Sequence, residues 1–157
     1  MKKFLLTLIF LMCICVSFAQ IQTNILGCRL GVSSYDEVNT TLREKGIIRP
    51  DILLTGWGAI ITTYHIEFGG IVWNTVTFTV NKGVLMSVKF AGLGDHVKLG
   101  EALSKKYSHY KVVDNSFTKK FEDNNTRVEM LYDFTAYEPL ILRYEHKTPA
   151  NKWIDDL

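Results

Sequence analysis

The sequence contains few cysteines. There are three in 157 residues, Cys13, Cys15 and Cys28, and the first two lie in a stretch that we predict to be removed. A single remaining thiol cannot form an intramolecular disulfide. The fold must therefore depend on a hydrophobic core, and a chain of this length can bury about two-thirds of its extended surface.

The sequence also lacks an excess of charge of one sign. It has 18 Lys and Arg against 16 Asp and Glu, and removal of the first nineteen residues would take away Lys2 and Lys3 and no acid. The remaining chain is then balanced in charge. This balance excludes the strongly basic surface that is typical of a nucleic-acid-binding protein.

Only one long hydrophobic run is present, at residues 4–16, and it is shorter than the roughly 20 residues that a membrane-spanning helix needs. Two lysines precede it, and Ser17, Phe18 and Ala19 follow it. This order predicts a signal peptide, residues 1–19, that is cleaved after Ala19. Lipidation of Cys13 or Cys15 is the alternative, although the residues ahead of both cysteines are bulky.

Two segments have the features of helices. Residues 35–45 follow Ser33 and Ser34, either of which could be the N-cap, and Glu37 would complete a capping box with Ser34. Residues 95–107 begin at Asp95, a second possible N-cap. Each segment has one narrow apolar stripe, so we expect each helix to lie against something flat.

The rest of the chain alternates between apolar and polar residues, as antiparallel strands do. The predicted strands are residues 59–68, a hairpin over residues 71–91 that turns at 81–83, a second hairpin of residues 117–123 and 126–134, and a last strand after Pro139. Residues 47–58 are interpreted as a loop or as a short strand at 52–55. The pattern is a helix followed by three strands, twice.

The alternation also predicts which residues face the core. The inward residues are Ile60, Tyr64, Ile66, Phe68, Val76, Phe78, Val80, Val84, Met86, Val88 and Phe90. The opposite face would carry Thr63, His65, Glu67, Trp73, Thr75, Thr77, Thr79, Leu85, Ser87 and Lys89. One-sided alternation predicts a sheet with one face covered by the helices and the other open to water. The predicted class is α+β, one domain over residues 20–157 made of two pseudo-repeats, 20–92 and 93–157.

Several segments carry a family resemblance: residues 26–38 (LGCRLGVSSYDEV), 70–73 (GIVW), 84–90, 103–107 and 155–157. Together they resemble small exported proteins of Bacteroides-type bacteria. The fold of those proteins is similar to that of the β-lactamase-inhibitor protein and of outer-membrane-assembly lipoproteins of the SmpA/OmlA type. The resemblance implies tandem helix-on-sheet units with an open concave sheet face, and in the inhibitor family that face binds a partner protein. This chain lacks the disulfides of the inhibitor and the lipidated cysteine of the assembly proteins.

The candidate partner-binding residues lie on the predicted open face. They are His65, Glu67, Trp73, Thr75, Thr77 and Lys89 in the first half and Arg127 and Arg143 in the second. A tryptophan among threonines is a side chain favoured at interfaces. The alternative is that Trp73 completes the core, as large aromatic residues usually do.

The sequence contains no convincing catalytic or metal-binding set. His65 and Glu67 share a face, but no third ligand is near them in sequence. Cys28 lies in an apolar segment, where an unreactive buried thiol is common. We therefore predict neither enzymatic activity, nor a metal, nor a cofactor.

The resulting expectation is an exported binding module, periplasmic or secreted, that binds another protein and has no chemistry of its own. The alternative is a binder of a small molecule or glycan, with Trp57, Trp73 and Trp153 as stacking platforms.

The signal peptide can be tested directly. When the complete chain is expressed in a Gram-negative host, intact mass spectrometry of the exported protein should show a chain that begins at Gln20. A mass equal to that of the uncleaved 18.0 kDa chain would contradict the prediction, and added lipid mass would support the alternative.

Overall fold

The computed structural model describes residues 20–147. The predicted signal peptide and Trp153 lie outside the described residues. Strands make up 49% of the described part, so the chain is mostly β.

The elements follow one another in a simple order. A short hairpin, β1 (Asn24–Ile25) and β2 (Cys28–Arg29), precedes helix α1 (Tyr35–Glu44). Four strands come next: β3 (Asp51–Thr55), β4 (Gly58–Phe68), β5 (Ile71–Asn81) and β6 (Val84–Gly92). Helix α2 (His96–Lys106) and a 3₁₀ turn (Ser108–Tyr110) lead to β7 (Lys111–Asp114), β8 (Thr118–Glu122), β9 (Thr126–Tyr132) and β10 (Leu140–His146).

Eight of these strands form a single antiparallel sheet, in the order β3-β4-β5-β6-β10-β9-β8-β7. The predicted arrangement of tandem helix-on-sheet units with three strands each is therefore wrong. Each helix is followed by four strands, and the eight strands belong to one continuous sheet. The helices are only ten and eleven residues long. The strands beyond the predicted pattern are β3 and β7, the two edges of the sheet; β3 is the short strand that was one of the two interpretations of residues 47–58. Because both edge strands are mostly exposed, they lack the alternation that identified the other strands, and β7 was not predicted.

Both helix starts are confirmed. Ser34 Oγ accepts a hydrogen bond from Glu37 N–H at 3.3 Å, and Glu37 Oε2 accepts one from Ser34 N–H at 2.7 Å. Asp95 Oδ1 accepts from the N–H groups of Val97 and Lys98, each at 3.1 Å. These side chains satisfy backbone donors that have no partner within the helix. Within residues 20–147, no helix is both long and apolar enough to cross a bilayer.

A single hydrophobic core covers one side of the sheet. Val76, Phe78 and Val80 of β5 are at most 3% exposed, as predicted. The helices and the N-terminal segment contribute to the same core. Val38 and Leu42 come from α1, Leu103 and Tyr107 from α2 and its C-cap, and Ile21, Ile25 and Cys28 from the N-terminal segment. The other strands contribute Phe90, Phe121, Val128, Met130, Leu140, Leu142 and Tyr144.

Strand β6 contains a β-bulge that changes which residues are buried. Val80 pairs with Leu85, but Thr79 pairs with Ser87, so Met86 is an extra residue. A bulge of this kind shifts the following side chains to the other face. Leu85, predicted to face outward, is therefore fully buried. Val84 and Met86, predicted to lie in the core, are partly exposed.

Strands β4 and β5 also change the face that they present to the core. His65 has a left-handed backbone (φ 55°), and beyond it Ile66 pairs with Trp73. Trp73 is consequently 0% exposed, so it completes the core, which was the alternative to a position on the open face. Before this point Thr63 is buried and Tyr64 is exposed, the reverse of the prediction. Ile60, predicted to be a core residue, is partly exposed on the outward side.

The turn between β5 and β6 is shorter than predicted. Asn81 pairs with Val84, so the loop consists of two residues, Lys82 and Gly83. Both have positive φ, 48° and 82°, as two-residue hairpins with a type I′ turn require.

The buried position of Trp73 predicts a large effect on stability. Trp73→Ala should lower the free energy of unfolding by about 3–5 kcal/mol, because a buried ring is lost and a cavity remains. Tyr137, which is 93% exposed, is the matched control, and Tyr137→Ala should change stability by less than about 0.5 kcal/mol. Urea denaturation of both variants measures the difference. Equal effects would place Trp73 outside the core.

Candidate functional site

The side of the sheet opposite the core is here called the outer face. Because the strand registers align, its side chains form rows that run across the strands. The middle row consists of Asp51, Thr62, Thr77, Lys89, Arg143, Glu129 and Lys120.

The centre of the middle row carries two cations side by side. Lys89 on β6 pairs with Arg143 on β10, and Glu129 on β9 lies on the far side of Arg143. In residues 20–147, no ion pair or side-chain hydrogen bond includes Lys89, Arg143 or Glu129. Like charges directly opposite each other in a sheet are destabilising. The centre of the outer face therefore has positive charge that the described chain does not pair.

The neighbouring row on the outer face differs from the middle row, because its charged side chains form ion pairs with one another. Arg127 Nε lies 2.6 Å from Glu122 Oε1, and Arg127 Nη1 lies 3.5 Å from Glu145 Oε2. Lys120 Nζ and Lys147 Nζ also approach the Glu122 carboxylate, at 3.0 and 3.4 Å. Lys120 and Arg127 lower the pKa of Glu122 to about 2. This cluster is a local network of ion pairs.

A pocket of about 420 Å³ lies beside this network. Met86, Arg127, His146 and Lys147 are among its lining residues. A Cβ on Gly31 would lie 2.7 Å from the His146 ring, so a residue larger than glycine could not be placed there without moving the ring. The volume suits a small ligand, but Arg127 is already held by two carboxylates.

The opposite end of the outer face is more apolar. Its row consists of Tyr64, Thr75, Ala91, Ile141 and Leu131. The loop of residues 133–139 is attached there, because Thr75 Oγ1 donates a hydrogen bond to Glu138 Oε1 at 2.9 Å. Several aromatic side chains at this end of the sheet are exposed: Tyr64 by 51%, Phe117 by 51%, Phe134 by 76% and Tyr137 by 93%.

The structure brings together five of the predicted binding residues. Thr75, Thr77, Lys89, Arg127 and Arg143 all lie on the outer face and are partly exposed. Trp73 does not belong with them, since it is buried and its Nε1 donates a hydrogen bond to the carbonyl of Phe68 at 3.0 Å. Its burial follows from the change of face in β5.

His65 and Glu67 are exposed, but they lie beyond the change of face, away from the middle row. No group of three or more His, Cys, Asp or Glu side chains that could hold a metal ion occurs in the described chain. Cys28 is 1% exposed, and burial raises the pKa of its thiol. Trp57 is 76% exposed in the turn after β3.

Sequence reasoning missed the pairing of Lys89 with Arg143. The two residues are far apart in the chain, and β6 and β10 are joined through a helix and three other strands. No local signal in the sequence specifies that these two strands are neighbours.

No family model, curated protein or solved structure matches this chain. The resemblance to inhibitor-like and assembly-lipoprotein folds therefore stays a prediction.

The Glu122 network predicts a pH dependence. The folded-state pKa of about 2 is below the usual value of roughly 4.3, so the network stabilises the fold above that usual value and loses its effect as the pH falls towards 2. Glu122→Gln should cost about 1 kcal/mol at pH 7, at the upper end for ion pairs near water. Urea titrations from pH 7 to 2 should show the difference from wild type vanishing at the acidic end. A difference that is independent of pH would contradict this.

Proposed function

We propose that this chain is an exported, non-catalytic binding module that recognises an acidic surface of another protein through the outer face. The observation that carries the proposal is the cationic pair Lys89 and Arg143 at the centre of that face. The proposal concerns recognition by charge and contact, without a covalent step.

The pair of cations supports an acidic partner for a physical reason. In the free protein the two side chains repel each other, and no acid of the described chain forms an ion pair with either. A carboxylate from a partner would remove this repulsion, and an arginine can bind a carboxylate through two parallel hydrogen bonds. Complementary charge also steers association and selects the partner.

The exposed aromatic side chains at the apolar end support a protein as the partner. Tyr64, Phe134 and Tyr137 are more than half exposed. Aromatic residues and arginine are enriched where proteins bind each other, with charged and polar residues around them. A central charge together with exposed aromatic side chains at one end of the sheet therefore fits a protein surface better than a small ion.

The alternative of a small-molecule or glycan binder has weaker support. Of the tryptophans considered as stacking platforms, Trp73 is buried. The 420 Å³ pocket is large enough for a small ligand, but its arginine is already paired with Glu122 and Glu145.

Charge reversal tests the proposal. The tagged protein should capture a partner from a native cell-envelope extract at low salt, and Lys89→Glu/Arg143→Glu should abolish the capture. With the partner purified, calorimetry should show affinity reduced by roughly tenfold or more in the double variant, and a weaker interaction as salt is raised.

The matched control reverses two charges elsewhere. Arg43 and Lys105 lie in the last turns of α1 and α2 and are exposed. Arg43→Glu/Lys105→Glu carries the same change in net charge and should retain the partner. Circular dichroism checks that both variants are folded. Equal loss in both, or no loss in either, would refute binding through Lys89 and Arg143.

A further inference from the structure

The edge strand β3 exposes an unusual amount of apolar surface. All five of its residues are exposed, and Ile52, Leu53 and Leu54 are exposed by 41, 61 and 71%. Ile48 and Trp57, on either side of the strand, are exposed by 78 and 76%. Large exposed apolar side chains concentrated on one edge of a sheet mark a surface to which another chain can bind.

The backbone of β3 is also available on its outer side. The strand pairs with β4 on one side only, as the first strand in the sheet order. Among residues 20–147, no turn, loop or cap makes a backbone hydrogen bond to residues 51–55. An uncovered edge of this type is a template for another strand.

The opposite edge of the same sheet is protected. Strand β7 has an irregular register between Lys111 and Val113, and Lys111 and Lys119 both form ion pairs with Asp114. Bulges and charges are the usual means by which an edge strand avoids pairing with another chain. Strand β3 has a single charge, Asp51, and a regular register with β4. The β3 edge is therefore available for pairing with another strand, and the β7 edge is protected from such pairing.

The sequence of β3 is suited to pairing with a second copy of itself. In an antiparallel arrangement centred on Leu53, Ile52 lies opposite Leu54 of the second copy, and Asp51 lies opposite Thr55. Apolar residues thus meet apolar residues, and the two aspartates do not face each other.

We infer that this chain forms a symmetric dimer in which the two β3 strands pair antiparallel about Leu53. The two sheets then form one continuous sheet of sixteen strands. Because each copy has one open edge, the pairing consumes both open edges and leaves only the protected β7 edges at the ends. A two-fold contact of this type closes on itself and does not extend into a fibre. The inference is independent of the proposed partner of the outer face.

Substitution at the two-fold axis tests the dimer. Light scattering coupled to gel filtration of the chain from residue 20 to 157, at micromolar to millimolar concentrations, should give the mass of a dimer. Leu53→Lys should give a monomer with an unchanged circular dichroism spectrum, because two ammonium groups would meet at the axis. Leu53→Glu should behave in the same way, and an equimolar mixture of the two variants should restore the dimer.

The control lies on the other edge. Val112 on β7 is 55% exposed, and Val112→Lys should leave the dimer intact. A monomeric wild type at all concentrations, a dimer unaffected by Leu53→Lys, or a dimer lost on Val112→Lys would each overturn the inference. A wild-type monomer that becomes a dimer when residues 148–157 are deleted would overturn it in favour of the chain's own C-terminal segment as the occupant of the edge.

Discussion

Strands β6 and β10 pair along six residues, and this ladder is what makes one sheet from two groups of four strands. Its inner side lies in an aromatic cluster. Phe90 of β6 stacks on Phe68 with ring centroids 4.6 Å apart, and Trp73 and Tyr144 lie 5.4 and 6.4 Å from it. The same ladder places Lys89 against Arg143 on the outer side. The packing that joins the halves therefore also creates the candidate binding site.

The magnitudes explain why the cationic pair is tolerated. A like-charge pair across two strands costs up to about 1 kcal/mol, whereas burial of one large apolar side chain contributes about 1.5–3 kcal/mol. Flanking the cations in the ladder, Phe90 pairs with Leu142 and Val88 pairs with Tyr144, and all four side chains are buried. Burial on the core side of the β6–β10 ladder therefore contributes more free energy than the like-charge contact on the outer face costs.

The features that the sequence predicts well are local ones. The capping box at Ser34, the N-cap at Asp95 and the inward direction of Val76 and Phe78 depend on residues a few positions apart, and all three are confirmed. The failures have a different origin. The extra residue at Met86 and the left-handed backbone at His65 each invert the alternation within a strand, so the parity of the residues on one side of each point no longer holds on the other. The sequence left open whether Trp73 is exposed or packed, and its burial follows from the change of face at His65.

Because the Cys28 thiol is buried, its chemical labelling can measure how often the surrounding part of the protein opens. It is the only thiol in residues 20–147, and it packs among core residues where the N-terminal segment meets α1. A maleimide reagent reaches this sulfur only when the segment detaches or the domain unfolds. The rate of labelling therefore measures how often that part of the molecule separates from the sheet, without any engineered probe.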